Sequence, residues 1–335
     1  MKLSKIVATA LALLLTTAVS SAPPKLGVIQ RIAGPDGGWD LLSVDAEHHR
    51  LLVARSDGVM AVDLSTGVLT PSFVAGSRLH AVLAVPGTGL GLATSGASNS
   101  AIIFDAATGA VKAEVPTGAN PDAAIFEPTS RTVWVMNAKD GTASVVDPVS
   151  AKVVATVAIG GGLELPALDG HCHLFVNVED RNEIAEVDLA ARKVLRRIAL
   201  TGCDGPTGLA YVSSGYLISA CANGVAMLVR TSTGALIGKI AIGPRPDGAF
   251  FDARRRRAYV PSGGDGTLTV IDTTGGVPRA IAKVATQAGA RTGAVDPASG
   301  RVYLPTARFG PPAAPGQRPK MVPGSFELLV VGEAR

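Results

Sequence analysis

The chain has 335 residues, of which 47 % are apolar, 17 % are charged and 4 % are aromatic. Its formal net charge of +4 is mild and spread along the chain, so it does not provide the basic footprint of a nucleic-acid-binding protein. The 39 Gly and 22 Pro residues indicate many short strands and tight turns rather than long helices.

The first residues have the pattern of a secretory signal peptide. Lys2 and Lys5 form a positively charged start, the apolar run IVATALALLLTTAV follows, and the small residues SSA come next. The apolar run is too short and too weakly flanked to anchor the chain in a bilayer. We therefore predict a signal peptide over residues 1–22 and an exported mature chain, periplasmic or secreted, with no membrane span. Disulfides are permitted in that environment.

One phrase then recurs along the chain: an apolar run, an Asp, and a turn that often contains Thr-Gly. The Asp or its replacement falls at intervals of 41 or 42 residues, at Asp63, Asp105, Asp147, Asp188, Arg230 and Asp272. Each interval contains four short strand patterns separated by turn residues, which is typical of one β-propeller blade. The repeated carboxylate is interpreted as structural, because it can accept backbone N–H groups of the turn.

A seventh unit begins at Arg291 and stops before its fourth strand. The missing strand is available at the other end of the chain, where KLGVIQRIAG (25–34) resembles the outer-strand phrase KVVATVAIGG. We therefore predict an all-β fold, a single seven-bladed β-propeller domain over 25–335 with four antiparallel strands per blade. The N-terminal strand is expected to join the last blade, which closes the ring and removes an exposed edge.

The repeats RTVWVMNAKDGTASVVDPVSAKVVATVAIGG (131–161) and RRAYVPSGGDGTLTVIDTTGG (256–276) resemble those of YVTN-type, YncE-like propellers. The resemblance covers nearly all of the predicted mature chain and implies a propeller fold and a periplasmic location. The family motif describes blade structure rather than chemistry. Related propellers include lactone hydrolases and quinone-dependent dehydrogenases, so the resemblance does not select a reaction.

Function is expected where the blades differ, at the loops around the mouth of the central channel. The position that leads into each innermost strand aligns without gaps, and we predict a ligand-binding collar there: Asp40, His80, Asp122, Glu164, Thr207, Asp247 and Arg291. Three interpretations remain open. The collar holds a divalent cation, it recognises a polar or cationic ligand with Arg291 contacting an anionic group, or its residues only cap turns. No cofactor and no defined metal site are predicted.

The cysteines and the neighbouring histidines give weaker signals. Cys203 and Cys221 belong to the same face of blade five, so we predict a disulfide between them and a free Cys172. His171 and His173 flank Cys172, but no further zinc ligand is adjacent in the sequence.

Two other segments are distinctive. The Pro-rich loop 308–324 interrupts blade seven on the channel-mouth face and is either a connector, a lid or a docking arm. Arg254–Arg257 lies in a hairpin turn and is interpreted as solvated, because single-strand nucleic-acid binding lacks its aromatic platform there.

Together these observations predict a monomeric, non-catalytic propeller that binds an unknown small ligand or protein through the channel-mouth face. The alternative is a propeller enzyme, either a lactone-type hydrolase or a quinone- or metal-dependent oxidoreductase. No catalytic residue is assigned, because propeller active sites are assembled from distant loops.

Overall fold

The computed structural model describes residues 25–312, 314 and 319–334. Within these residues the chain forms seven sheets, each made of four antiparallel strands. This confirms the predicted seven four-stranded blades. The signal peptide predicted for residues 1–22 lies outside the described residues. No helix in the described part of the chain has the length and apolar character needed to cross a membrane.

The strands are numbered in chain order, and blades one to six each use four consecutive strands. Blade one contains β2 (Trp39–Asp45), β3 (Arg50–Arg55), β4 (Gly58–Asp63) and β5 (Leu69–Ala75). Blade two contains β6 (Leu79–Val85), β7 (Leu90–Ser95), β8 (Ser100–Asp105) and β9 (Val111–Pro116). Blade three contains β10 (Pro121–Glu127), β11 (Thr132–Asn137), β12 (Thr142–Asp147) and β13 (Lys152–Ala158).

The remaining blades follow the same order. Blade four contains β14 (Leu163–Leu168), β15 (His173–Val178), a one-turn 3-10 helix (Glu179–Arg181), β16 (Glu183–Asp188) and β17 (Lys193–Ala199); blade five contains β18 (Pro206–Val212), β19 (Tyr216–Cys221), β20 (Val225–Arg230) and β21 (Ala235–Ala241); blade six contains β22 (Phe250–Asp252), β23 (Arg257–Ser262), β24 (Thr267–Asp272) and β25 (Arg279–Ala285); blade seven contains β26 (Ala294–Val295), β27 (Val302–Thr306), β28 (Glu327–Glu333) and β1 (Leu26–Ala33).

Blade seven joins the two ends of the described chain. β1 pairs antiparallel with β28, with Ile32 opposite Leu328. The ladder extends beyond the strands on both sides, because Gly34 N donates to the Phe326 carbonyl oxygen at 3.1 Å and Ala334 N donates to the Lys25 carbonyl oxygen at 2.8 Å. The predicted closure is confirmed: strands from opposite ends of the sequence complete one sheet, so the ring has no open edge at this position.

The hydrophobic core lies between neighbouring blades. The middle strands are buried on both faces, whereas the outermost strands alternate between exposed and covered residues. At the boundary of blades three and four, Trp134 and Met136 form one apolar cluster with Leu174 and Val176. Burying one such side chain contributes about 1.5–3 kcal/mol. A single blade would leave both of its apolar faces in water, so the blades stabilise one another as a ring.

The repeated Asp has a structural role in the turn between the third and fourth strands. Asp63 Oδ1 accepts the N–H groups of Ser65 at 2.9 Å and Thr66 at 2.7 Å. The hydrogen bonds from Thr66 hold the pKa of Asp63 below its ordinary value. Asp105 accepts Thr108 N at 3.0 Å in the same way. The repeated Asp therefore stabilises the turn that joins the third strand of a blade to the fourth.

Candidate functional site

The collar side chains are positioned by irregularities at the start of the innermost strands. In blades one to five the pairing of the first two strands shifts register there, for example between Leu79 and Val82 around His80, and between Pro121 and Ala124 around Asp122. A β-bulge breaks the regular alternation and redirects the side chain at the irregular position. The collar residues of different blades thereby come close enough to influence one another's protonation.

Hydrogen bonds between blades fix the backbone of the collar. Thr94 Oγ1 donates to the Asp122 carbonyl oxygen at 2.7 Å, and Thr292 Oγ1 donates to the Asp40 carbonyl oxygen at 3.0 Å. Thr207 is buried and its hydroxyl donates to the Pro246 carbonyl oxygen at 3.0 Å. The structure therefore gives Thr207 a role in joining blades five and six, and its hydroxyl is engaged there rather than presented to a ligand.

The closest group in the collar consists of Asp40, His80 and Asp122. His80 Nδ1 lies 2.7 Å from Asp40 Oδ2 and 3.8 Å from Asp122 Oδ1. The hydrogen bond to Asp40 raises the pKa of His80 despite its burial. Ligand atoms of the three residues lie within 4.8 Å of one another, which is a spacing that small movements can close around a cation.

The other ring nitrogen of His80 faces Gly96. This Nε2 atom is buried and has no hydrogen-bond partner among the described residues. A Cβ atom on Gly96 would lie 2.7 Å from Nε2, so only glycine leaves room for the ring in this position. The environment of His80 is thus asymmetric, with two carboxylates at Nδ1 and a glycine at Nε2.

Three carboxyl groups of the collar keep protons more tightly than free side chains do. Burial raises the pKa of Glu164 to about 9, of Asp122 to about 7 and of Asp247 to about 6. Repulsion among the carboxylates adds to the effect of burial at Glu164 and Asp122. At Asp247 the opposing influence is Arg291, whose Nε lies 3.0 Å from Asp247 Oδ2. Arg291 is exposed and forms the outer side of this pair.

Glu179 is a site residue that the gapless alignment missed. It lies in the 3-10 turn between the second and third strands of blade four, and its charge contributes to the raised pKa of Glu164 and Asp247. Glu179, Glu164 and Asp122 line a cleft of 630 Å³ at the channel mouth. The acidic loop sequence VEDRNE could have indicated Glu179 as a site residue. Loops of this kind differ between blades, however, and could not be aligned by position.

Solved structures of other proteins share this architecture, among them two of low sequence identity. A chain in the structure of hydrazine synthase from Kuenenia stuttgartiensis is 14 % identical, with a TM-score of 0.67 over 80 % of this chain and 92 % of that chain. A chain in a crystal structure of the mitotic checkpoint complex is 11 % identical, with a TM-score of 0.73 over 97 % of this chain and 98 % of that chain.

The chain is a seven-bladed β-propeller. At these identities the similarity shows the fold alone and carries no activity or partner to this chain. No protein-family model matches the sequence, and no curated protein matches it.

The cysteine region of this propeller has a structural arrangement. Cys203 and Cys221 form a disulfide, with Cα atoms 5.5 Å apart, that ties the segment entering blade five to the end of its second strand. Cys172 is free and exposed, and partial desolvation of the thiol together with nearby carboxylates raises its pKa. His173 Nδ1 lies 2.8 Å from Asp169 Oδ2, so this histidine is held at the end of its hairpin.

The described parts of the Pro-rich loop 308–324 fold beside the channel mouth. The centroid of the Phe309 ring lies 6.2 Å from the centroid of the Trp39 ring at the start of blade one. Asp36 accepts Gly324 N at 2.6 Å and Ser325 N at 3.1 Å. Residues 313 and 315–318 of the loop lie outside the described residues. The two ends of the loop are therefore fixed to the segment that leads into blade one.

Proposed function

We propose that this protein is a binding propeller that holds a positively charged ligand at its channel mouth. The supporting observation is the excess of carboxyl groups around one opening, contributed by Asp40, Asp122, Glu164, Asp247 and Glu179. Within the described residues, the ion pairs of this group involve only His80 and Arg291. A cation would complement the remaining negative charge.

The protonation of the collar gives this proposal an energetic basis. Carboxyl groups whose pKa lies at about 7 or 9 retain protons near neutral pH, because the pocket offers their charged forms too little compensation. A bound cation supplies that compensation and displaces protons. Binding is therefore expected to release protons and to strengthen as the pH rises.

The cation is tested with two probe sets in isothermal titration calorimetry: the divalent ions Ca²⁺, Mn²⁺ and Zn²⁺, and the organic cations tetramethylammonium and putrescine. Titrations in buffers of different ionisation enthalpy report the number of protons released. We expect at least one probe to bind with proton release, and Asp122→Asn with Glu164→Gln to weaken that binding at least tenfold. Asp204→Asn is the matched control, because Asp204 is exposed and lies in the loop leading into blade five.

The proposal is contradicted if none of the probes binds to the protein. It is also contradicted if Asp204→Asn weakens binding as much as the collar variants do. If only the divalent ions bind, the ligand is a metal. If only the organic cations bind, the collar recognises a protonated or quaternary amine.

One observation favours the enzyme alternative. A carboxyl group whose pKa lies at about 7, as at Asp122, is suited to general acid–base catalysis, and Asp40 orients the neighbouring His80 through Nδ1. The related propeller hydrolases make lactones the first substrates to test. A hydrolase would show lactone turnover that Asp122→Asn abolishes, whereas a binding protein would show none.

We further propose that the protein is exported as a monomer and belongs with the YVTN-type, YncE-like propellers. The repeat phrases support the family assignment, and the pattern of residues 1–22 supports export. The Cys203–Cys221 disulfide fits an oxidising compartment. Cell fractionation and N-terminal sequencing of the purified protein test it: a full-length chain recovered from the cytoplasm with residue 1 intact would contradict export.

A further inference from the structure

A second cleft lies far from the collar, on the opposite face of the ring. It has a volume of 860 Å³ and lies between blades six and seven, where the second strands of both blades begin. Blade six contributes Arg255, Arg257 and Tyr259, and blade seven contributes Arg301 together with the start of β1. This arginine cleft, as we name it, shares no residue with the channel mouth.

Within the described residues, the arginine cleft is open where blade seven is closed by two separate chain segments. In blades one to six a hairpin turn joins the third strand to the fourth at this face. In blade seven the third strand ends at Glu333 and the fourth begins at Leu26, so no hairpin turn connects them. The position that a turn occupies in the other blades is instead lined by Leu26 and Gly332–Ala334.

The cleft carries positive charge that the carboxylates of blades six and seven do not neutralise. In blade one, Arg50 begins the second strand and its Nη2 lies 3.0 Å from Asp45 at the end of the first strand. Arg257 occupies the equivalent position in blade six, but there Arg255 Nη1 takes the equivalent carboxylate, at 3.0 Å from Asp252 Oδ2. Among the described residues, Arg257 has no carboxylate within ion-pairing distance.

Blade seven repeats this situation. Arg301 is equivalent to Arg50, and the matching carboxylate, Asp296, is occupied by Ala298 N at 3.0 Å and by the Ser299 backbone and hydroxyl. No ion pair of Arg301 occurs within the described residues. Among the residues that the structure describes, Glu333 is the only acidic one that lines the cleft, and it is exposed. Two guanidinium groups from adjacent blades therefore face one cleft without carboxylate partners.

The third guanidinium, that of Arg255, bridges the boundary between the blades. Arg255 Nη1 donates to the Pro297 carbonyl oxygen at 3.3 Å, and Nη2 donates to the Ala298 carbonyl oxygen at 3.4 Å. A Cβ atom on Gly300 would lie 2.3 Å from Arg255 Cζ, so the guanidinium occupies space that a side chain at this position would contest. These contacts place Arg255 in the wall of the cleft.

Apolar groups lie beside this charge. Ile29 on β1 keeps 42 % of its surface exposed, and Val28 and the Tyr259 ring line the same space. Ile29 Cδ1 reaches to within 2.7 Å of the position of a Cβ on Gly332, so the side chain lies across β28. Charge and apolar surface together match a ligand with an anionic end and a hydrophobic body.

We infer that the arginine cleft binds a small organic oxyanion, a phosphate or carboxylate attached to an apolar group. The planar guanidinium groups of Arg257 and Arg301 hold its oxygens through paired N–H donors. Ile29 and Val28 cover its apolar part. This site is independent of the proposed cation site at the channel mouth.

The test titrates the purified full chain with phenyl phosphate, benzoate and inorganic phosphate at low ionic strength, because exposed charges are screened by salt. Phenyl phosphate or benzoate is expected to bind, and the stronger of the two identifies the anionic group. Arg257→Ala with Arg301→Ala should weaken that binding at least tenfold. The matched control is Arg254→Ala, which removes one charge from the same turn without lining the cleft.

The apolar part is tested by Ile29→Ser, which should weaken phenyl phosphate severalfold and leave inorganic phosphate unchanged. Circular dichroism and thermal unfolding verify that each variant is folded. The inference is overturned if neither organic probe binds at millimolar concentration, or if Arg254→Ala reduces affinity as much per charge as the cleft variants do. It is also overturned if inorganic phosphate binds as tightly as phenyl phosphate, since the apolar floor would then contribute nothing.

Discussion

Replacing Asp122 by asparagine is expected to stabilise the protein at alkaline pH. Asparagine keeps the shape of the side chain but carries no charge that burial opposes. Burial raises the pKa of Asp122 from its ordinary value of 3.8 to about 7. Between these values the folded chain keeps a proton that the unfolded chain has lost. The stability of the wild-type protein therefore falls by about 1.4 kcal/mol for each pH unit over this range.

The size of this stability change follows from the difference between the pKa of Asp122 in the folded and in the unfolded chain. Above pH 7 the buried charge costs the wild-type protein up to about 4 kcal/mol, and the asparagine side chain removes that cost. Near pH 4 both side chains are uncharged in the fold, so the two proteins should have similar stability. The difference between D122N and wild type is therefore expected to grow from near zero at about pH 4 to a few kcal/mol at about pH 8.

The assay is thermal and denaturant unfolding of wild type and D122N at half-unit intervals from pH 4 to pH 9, without added divalent ions. Asp204→Asn serves as the control, because Asp204 is exposed and does not belong to the collar. A D122N protein that is less stable than wild type at pH 8, or a difference that is constant with pH, would refute the reasoning. The first result would mean that the charged form of Asp122 is stabilised in the fold, and the second that folding does not change the pKa of Asp122.

Three other outcomes are expected. Replacing both Cys203 and Cys221 by Ser should lower the free energy of unfolding by about 3 kcal/mol, because the disulfide closes a loop with a sequence separation of 18; unfolding with and without reductant measures it. Gly109→Ala should destabilise by more than about 3 kcal/mol, since φ is +77° and the new Cβ would lie 1.9 Å from the Phe73 carbonyl oxygen. Removing residues 26–33 should prevent formation of a cooperative native state, as seen in loss of the thermal transition, because it leaves β28 as an unpaired edge.

Each of these has its own check. Reductant should leave the Cys double variant unchanged while it destabilises wild type to a similar extent. Gly275→Ala is the comparison for Gly109→Ala, because no atom lies within 4 Å of its new Cβ, and equal effects of the two would show that the turn tolerates a side chain. A chain without residues 26–33 that still melts in one sharp transition would show that ring closure contributes little.

The blade count and the closure could be predicted because their signals are local and repeated. The Asp at 41- or 42-residue intervals marks one turn per blade, and that turn forms from its own side-chain and backbone hydrogen bonds at Asp63 and Asp105. The sequence pattern of residues 25–34 matches that of an outer strand, and this was sufficient to assign the segment to the last blade. Local chemistry that repeats at a fixed period defines the fold without knowledge of distant contacts.

The chemistry of the collar could be predicted only in part, because it depends on distances between blades. Alignment brought Asp40, His80 and Asp122 together, but the engagement of the Thr207 hydroxyl by a carbonyl at the entry to blade six is visible only in three dimensions. Glu179 was missed because it lies in the loop between the second and third strands, whose sequence differs from blade to blade. The raised pKa values arise from burial by several blades at once, which no single repeat encodes.

The arginine turn of blade six shows a similar limit. From the sequence, Arg254–Arg257 is interpreted as a solvated hairpin, and Arg254 and Arg256 are indeed exposed. Arg255 and Arg257 are half-buried, however, and meet Arg301 from the next blade across the boundary. Neighbouring charges from consecutive repeats can be recognised only when the packing of the repeats is known.

The seam formed by β1 and β28 has a consequence for how this polypeptide reaches its native state. The partners of β1 lie about three hundred positions away, so this pairing has the largest loop-closure entropy of any in the ring. During synthesis the first strand remains unpaired until nearly all of the remaining chain has emerged. Folding is therefore expected to be slow and to end with this step, and the waiting strand is the segment most exposed to wrong partners in the meantime.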